Sequence, residues 1–309
     1  MQTKQENIPL GTPESVGASD ELLSPDFMRR LEQLSLVLTR VFAGRFRGER
    51  RSLHRGTSVE FADYREYTPG DDLRNVDWNV YARLEKLFLK LYVEEEELHV
   101  HFLLDTSRSM AFGTPGKLLA AQRICAALGY IALANFESVS VTTMSDRLGT
   151  RVRRLRGKGQ ASTLFHWLHG LKATGGTDFA RVVKEYALLA RTPGLLIIIS
   201  DFLTDGVEDG VRALVGRKFS PTLLQVLAPE ELNPPLLGDL RLLDAESGAI
   251  REVSVTSGLL ARYQQRLHAH QQFLTALGNR YGINYVTTAT SEPFEQFVLK
   301  YLKVRRIVK

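Results

Sequence analysis

The sequence has almost no cysteine. Cys125 is the single one in 309 residues. One thiol cannot form a disulfide within the chain, which fits a reducing compartment. Cys125 falls inside the apolar periodic run 117–135, where a small buried side chain is expected. Long apolar runs are also missing. The strand-like runs LLIII at 195–199 and HFLL at 101–104 are far short of the roughly 18–20 residues that cross a bilayer. The opening MQTKQENIPLGTPESVGASDELL has no cationic start followed by an apolar core, so no signal peptide is expected. A cytoplasmic location is the resulting expectation. Charge of one sign is not in excess: 40 Lys and Arg stand against 35 Asp and Glu, leaving +5. That balance permits acidic partners without demanding them.

Several chemistries lack their residues. No G-x-x-x-x-G-K-[ST] occurs, so a P-loop ATPase is excluded even though Gly175-Gly176 precede an expected helix. No G-x-S-x-G elbow occurs. The histidine pairs His99/His101, His166/His169 and His268/His270 have no Cys or carboxylate at zinc-like spacing. A surface or edge position is the expectation for His99 and His101.

What remains is ordinary globular material, 44% apolar and 24% charged. Residues 1–23 mix Gly, Pro, Ser, Gln and Glu without periodicity and read as a flexible tail. Ser24-Pro25 then offers a helix cap followed by Pro at the first helical position. Phe27, Leu31, Leu34, Leu38 and Val41 carry that helix to about 43. In 44–98, Val59 and Phe61 alternate with polar neighbours and Pro69-Gly70 marks a turn. LEKLFLKLYVEEEEL reads as a long strand or strand pair, with Glu94–Glu97 a solvated end. Arg65, Arg74 and Arg83 interleave with Asp63, Asp71, Asp72 and Asp77, as in an ion-paired network. Trp78 and Tyr81 are expected to bury their rings there.

From 99 the pattern alternates strand and helix with near-continuous apolar strands. It predicts a mostly parallel sheet covered on both faces, an α/β fold of Rossmann type. RVRRLR at 151–156 is expected as an edge strand, and helices over about 160–172 and 178–191. DLRLLDAESGAIREVSV at 239–255 reads as a hairpin with a Ser-Gly turn, expected to share a small antiparallel sheet with the strands of 56–94. The organisation is therefore a tail (1–23), an N-terminal helix with a β extension (24–98), and the α/β domain (99–309) carrying the hairpin.

Asp105 ends one apolar strand and Asp201 ends the most apolar one. Carboxyl ends of neighbouring strands converge at the topological switch point of an open sheet, where ligands bind. Ser107 and Ser109 follow Asp105, and Thr177 lies in a Gly-rich loop before a helix. Two carboxylates and three hydroxyls are hard oxygen donors suited to Mg²⁺ or Mn²⁺. The same residues could instead cap helices and close loops.

D-x-S-x-S, Thr177 and Asp201, in this order, resemble the metal-ion-dependent adhesion site of von Willebrand factor A domains. The resemblance implies that Ser107, Ser109 and Thr177 ligate directly or through water. Asp105 and Asp201 would act largely through bridging waters, and an open position would receive a partner's carboxylate. A second resemblance rests on DYREYTPGDDLRNVDWNVYAR at 63–83, which is similar to the signature of the domain-of-unknown-function 58 family. With the adhesion-site motif it spans about 44–205. It implies a bacterial or archaeal protein working with a MoxR-type AAA+ ATPase in maturing or remodelling protein complexes. Many members carry N-terminal membrane spans, which this sequence does not show.

The expectation is thus a von Willebrand factor A-like fold and a non-enzymatic, metal-dependent interaction module. A Mg²⁺-dependent phosphohydrolase is the first alternative. Its D-x-D start would need an acid–base carboxylate where Ser107 stands. Nucleic-acid binding is the second, resting on Arg45, Arg47, Arg50, Arg51 and Arg55, on Arg151–Lys158, and on the final KVRRIVK. Little aromatic interleaving accompanies these patches.

Overall fold

A computed structural model of the chain describes residues 22–33, 60–69, 71–93, 98–244 and 248–304. Its centre is a six-stranded sheet in the order β10-β7-β6-β3-β4-β5. The strands are β3 (His99–Asp105), β4 (Ser138–Met144), β5 (Leu148–Arg156), β6 (Leu195–Ser200), β7 (Ser220–Leu227) and β10 (Asn284–Ala289). All pair in parallel except β5, which runs antiparallel along the β4 edge. The mostly parallel sheet and the edge position of 151–156 therefore match expectation. Arg153, Arg154 and Arg156 are exposed there, and charge on an edge strand discourages pairing with other chains.

The central strands are apolar because both faces are covered. Leu195, Ile197 and Ile199 of β6 enter one core, while Leu196 and Ile198 enter the other. Strand side chains alternate faces, so one continuous run feeds two layers. The first layer holds α3 (Lys117–Ala134), α4 (Ala161–His169) and α9 (Phe294–Val304). Gly129 lets α3 and α4 approach: a Cβ there would sit 2.7 Å from Leu164 Cδ2. The second layer holds α5 (Phe179–Leu189), α6 (Val207–Gly216) and α8 (Ser257–Tyr281). Helix α3 is the one described helix long and apolar enough to cross a membrane, and most of it is buried in the first core. Cys125 is buried within it.

Residues 25–33 form α1, capped as expected: Ser24 Oγ accepts from Phe27 N at 3.2 Å. The predicted continuation to 43 lies outside the described residues. The tail reading needs one correction. Leu22 and Leu23 are buried beside Phe27 and Leu31 in the first core, because two adjacent leucines ahead of the cap give the helix start an apolar anchor. Residues 1–21 lie outside the described residues.

The 60–93 segment departs further from expectation. β1 (Glu60–Glu66) pairs antiparallel with β2 (Phe88–Val93), and a short helix, α2 (Trp78–Leu84), lies between them. The predicted strand over 84–98 thus begins only at Phe88, since Leu84 closes α2. Glu94–Glu97 lie outside the described residues. Asp77 starts α2 by accepting from Asn79 N and Val80 N, and its second oxygen accepts from Tyr64 Oη at 2.8 Å. Arg65 pairs with Asp71 at 2.7 Å. The Thr68 amide and hydroxyl, then Arg65, hold that carboxyl well below the usual range. The polar network is therefore present around Asp71 and Asp77. Trp78 and Tyr81, expected inside, are exposed, because α2 has no layer packed over that face among the described residues.

The hairpin forms β8 (Gly238–Leu243) and β9 (Ile250–Val255). It makes its own two-stranded sheet rather than joining β1 and β2. Both of its strands are mostly exposed, and neither pairs with a third strand. A four-residue helix, α7 (Pro229–Leu232), follows β7.

Candidate metal centre

The sheet order places a switch point between β3 and β6. From β3 the chain moves to β4 on one side and later returns to β6 on the other. Loops leaving the two carboxyl ends diverge there and open a crevice. Leu104 pairs with Ile199, so Asp105 and Ser200 end neighbouring strands side by side. The Asp105 Oδ2 accepts from Ser200 Oγ at 2.6 Å, and Oδ1 from the Ser107 amide at 2.9 Å.

Ser107 and Ser109 follow on a turn of 3₁₀ helix over Arg108–Ala111. Their Oγ atoms lie 3.0 Å apart and share a hydrogen bond. Ser109 Oγ donates to Asp201 Oδ2 at 2.9 Å. Asp201 is oriented by the Leu203 amide at Oδ1, while its own carbonyl accepts from Gln225. The residue between, Phe202, takes φ of +52°, a left-handed conformation that a bulky side chain adopts only when its surroundings enforce it. Its buried ring stacks edge-on with Phe179, and Ser200 Oγ accepts from its amide.

Four of the five expected residues are thus joined in one hydrogen-bonded cluster. The loop carrying Thr177 reaches the same end of the sheet: Arg108 N donates to Gly175 O at 3.0 Å, and Thr174 N to Thr106 O at 2.6 Å. Thr177 itself is half-buried. Of the other residues in the motif, Met110 is fully buried and Arg108 is exposed.

Two residues escaped the sequence reading. Lys117, the first residue of α3, has a fully buried side chain. Its Nζ donates to Asp201 Oδ2 at 2.7 Å and to Glu231 Oε1 at 2.5 Å. Glu231, in α7, also accepts from the Ala228 amide. A lysine after Gly-Thr-Pro-Gly looks like an ordinary exposed helix start. Only the convergence of two distant loops buries it.

The electrostatics follow from burial. Asp105 is 1% exposed. Desolvation, then the charge of Asp201, pushes its carboxyl up to about 6, against the bonds from Ser200 and Ser107. Burial also raises Glu231, opposed by Lys117. Three carboxyl groups, of Asp105, Asp201 and Glu231, thus stand about one ammonium, that of Lys117.

The oxygen spacing fits the same chemistry. Octahedral Mg²⁺ at about 2.1 Å from each ligand sets neighbouring oxygens about 3 Å apart. Ser107 Oγ, Ser109 Oγ and Asp201 Oδ2 are linked at 3.0 and 2.9 Å. The donor set of hydroxyls and carboxylate oxygens is the hard kind such ions select.

The remaining histidines serve other ends. His101, expected at a surface or edge, lies buried in central β3. Its Nδ1 bonds the Tyr186 hydroxyl at 2.9 Å and its Nε2 lies 3.1 Å from Thr192 O. Desolvation lowers it to about 4, so it stays neutral. His99 stacks on it at 6.0 Å. Of the basic patches, Arg45–Arg55 and residues 305–309 lie outside the described residues.

The sequence profile of the family described as Protein of unknown function DUF58 matches residues 63–273. An uncharacterized protein of Mycobacterium tuberculosis is 26% identical over 289 residues, covering 91% of this chain and 90% of its own. An uncharacterized protein of Mycobacterium avium is 27% identical over 131 residues, covering 42% of this chain and 76% of its own. Among solved structures, the conserved hypothetical protein BatB from Bacteroides thetaiotaomicron superposes with a TM-score of 0.41 at 13% identity. It covers 68% of this chain and 100% of its own. The SpRpn10 VWA domain gives a TM-score of 0.40 at 13% identity, covering 67% of this chain and 95% of its own.

Proposed function

The chain belongs to the DUF58 family, and from that premise we propose that it is a non-enzymatic interaction module whose switch-point site binds Mg²⁺ or Mn²⁺. Ser107, Ser109 and Thr177 would hold the ion, with Asp105 and Asp201 acting largely through bridging water. The ion supplies a Lewis-acidic position that draws a carboxylate from a partner protein. The chain's own residues do the rest. Ser200 and the Ser107 amide fix the Asp105 carboxylate, and Leu203 and Gln225 fix Asp201.

The observation that carries this reading is the hydrogen-bonded cluster of Ser107 Oγ, Ser109 Oγ and Asp201 Oδ2 beside the buried Asp105 carboxyl at the switch point. Exposed Arg108, Phe112 and Leu203 flank the cluster in sequence and suit an acidic segment with apolar neighbours. Ser107 occupies the position where a phosphohydrolase of this geometry needs a second carboxylate, which favours binding over catalysis. By the resemblance of 63–83, the partner is a MoxR-type AAA+ ATPase or its client, met in the cytoplasm.

The test is co-purification with a MoxR-type AAA+ ATPase. Wild type and Ser109→Ala would be compared in Mg²⁺ and in EDTA. Retention only by wild type in Mg²⁺ is expected. Equal retention in EDTA overturns the metal-dependent mechanism.

A further inference from the structure

Lys117 and the proposed ion draw on one oxygen. Asp201 Oδ2 accepts from Ser109 Oγ at 2.9 Å and from Lys117 Nζ at 2.7 Å. The ammonium is walled off from water. Its side chain is 0% exposed, its second partner is Glu231 Oε1, and the Phe112 ring centroid lies 6.0 Å away. A buried ammonium is costly unless paired and hydrogen-bonded. Here two carboxylates from different loops meet it.

Both loops are rigidly set. Gly113 has φ of +94°, and a Cβ there would lie 2.5 Å from Ala228 Cβ. The loop that precedes Lys117 therefore interlocks with the turn that carries Glu231. Lys117 N donates to Phe112 O, Glu231 Oε2 accepts from Ala228 N, and Tyr263 Oη donates to Glu231 O at 2.7 Å. The lysine is built into the site by a close-packed loop that requires glycine at 113, which a surface cation would not need.

We propose that Lys117 is a tethered cation that shares Asp201 with the metal ion. It holds the acidic cluster together while no ion is bound, and it weakens the site's affinity for a divalent cation. Glu231 is the carboxylate that keeps the ammonium when the ion, directly or through its bridging water, engages Asp201 Oδ2. This inference rests on the metal reading above. Its consequence is that a resident positive charge makes the ion bind weakly alone and strongly when a partner's carboxylate adds a compensating negative charge.

The charges set the expected sign and scale. A resident cation in the same site repels a divalent ion even at an effective dielectric constant near 20. Removing it tightens binding by at least tenfold, after allowance for rearrangement.

Mn²⁺ is the probe, with free ion followed by electron paramagnetic resonance and melting followed with and without Mn²⁺ in otherwise EDTA-treated protein. Lys117→Met is expected to melt below wild type without the ion, to bind Mn²⁺ at least tenfold more tightly, and to gain more melting temperature from it. Glu231→Gln leaves the ammonium on Asp201 alone and is expected to bind Mn²⁺ several-fold more weakly than wild type. It serves as the deciding variant where Lys117→Met does not fold. Wild-type binding with equal or weaker binding by Lys117→Met, or equal or tighter binding by Glu231→Gln, overturns this inference and leaves the metal reading standing. Tight binding by Lys117→Met where wild type shows none supports it in its strongest form. No binding by either protein at millimolar Mn²⁺ overturns both, leaving Lys117, Asp201 and Glu231 as a buried ion-pair cluster.

Discussion

Replacing Asp105 by Asn removes a buried charge from the switch point while keeping the side-chain shape. The carboxyl is pushed up to about 6 from an ordinary value of 3.8, first by burial and then by Asp201. A displacement of about two pH units corresponds to about 3 kcal/mol at about 1.4 kcal/mol per unit. That is the cost of holding this carboxylate ionised in the folded, metal-free protein at neutral pH. Asp105 accepts from the Ser107 amide at one oxygen and from Ser200 Oγ at the other, at 2.6 Å; Asn has one acceptor oxygen for these two donors, and losing one bond returns about 1 kcal/mol. The variant should therefore be about 2 kcal/mol more stable than wild type in EDTA at pH 7. The pH window follows from the direction of the shift. Between about pH 4 and 6 the folded state holds a proton that the unfolded chain has released. Wild-type stability falls as pH rises through that range, and the advantage of the variant is absent below it and complete above it. His101 works in the opposite sense: lowered to about 4 by burial, its contribution is lost as pH falls from 6.5 toward 4. It is common to both proteins, so their difference isolates Asp105. Urea unfolding in EDTA at pH 4.5, 5.5 and 7 measures that difference. A variant no more stable than wild type at pH 7, or an advantage independent of pH, would refute the reasoning.

Two further outcomes test the fold. Ile198 is fully buried in the centre of β6, so Ile198→Ala should lower unfolding free energy by about 3–4 kcal/mol, read from chemical denaturation; a loss under 1 kcal/mol would contradict the two-core description. Trp78 is 58% exposed, so Trp78→Ala should change stability by less than about 0.5 kcal/mol, and a loss above 2 kcal/mol would mean that its ring is covered.

Much of the sheet was legible because burial on both faces leaves a plain mark. LLIIIS and HVHFLLD read as apolar, buried strands, and the Asp at or just after each strand end pointed to the crevice. The cap at Ser24 was equally plain. What stayed hidden depended on contacts remote in sequence. Lys117 meets partners 84 and 114 positions away, and nothing local separates it from a surface lysine. Helix α2 has few turns and no buried residue of its own, so no apolar periodicity announces it, and its Trp78 suggested a core it does not join. The β8–β9 hairpin carries Leu240, Leu242, Val253 and Val255 on one face, which suggested a partner sheet that neither strand pairs with. His101 sits in a strand whose partners alone decide that it is central rather than at an edge.

The claim that this cluster is a metal centre is tested most directly by calorimetric titration of Mg²⁺ and Mn²⁺ into the purified chain and its Ser109→Ala variant. The account predicts one ion per wild-type chain and at least tenfold weaker binding when Ser109 loses the hydroxyl that bridges Ser107 and Asp201. Equal binding by the variant, or no binding at millimolar metal by wild type and by Lys117→Met alike, would contradict it.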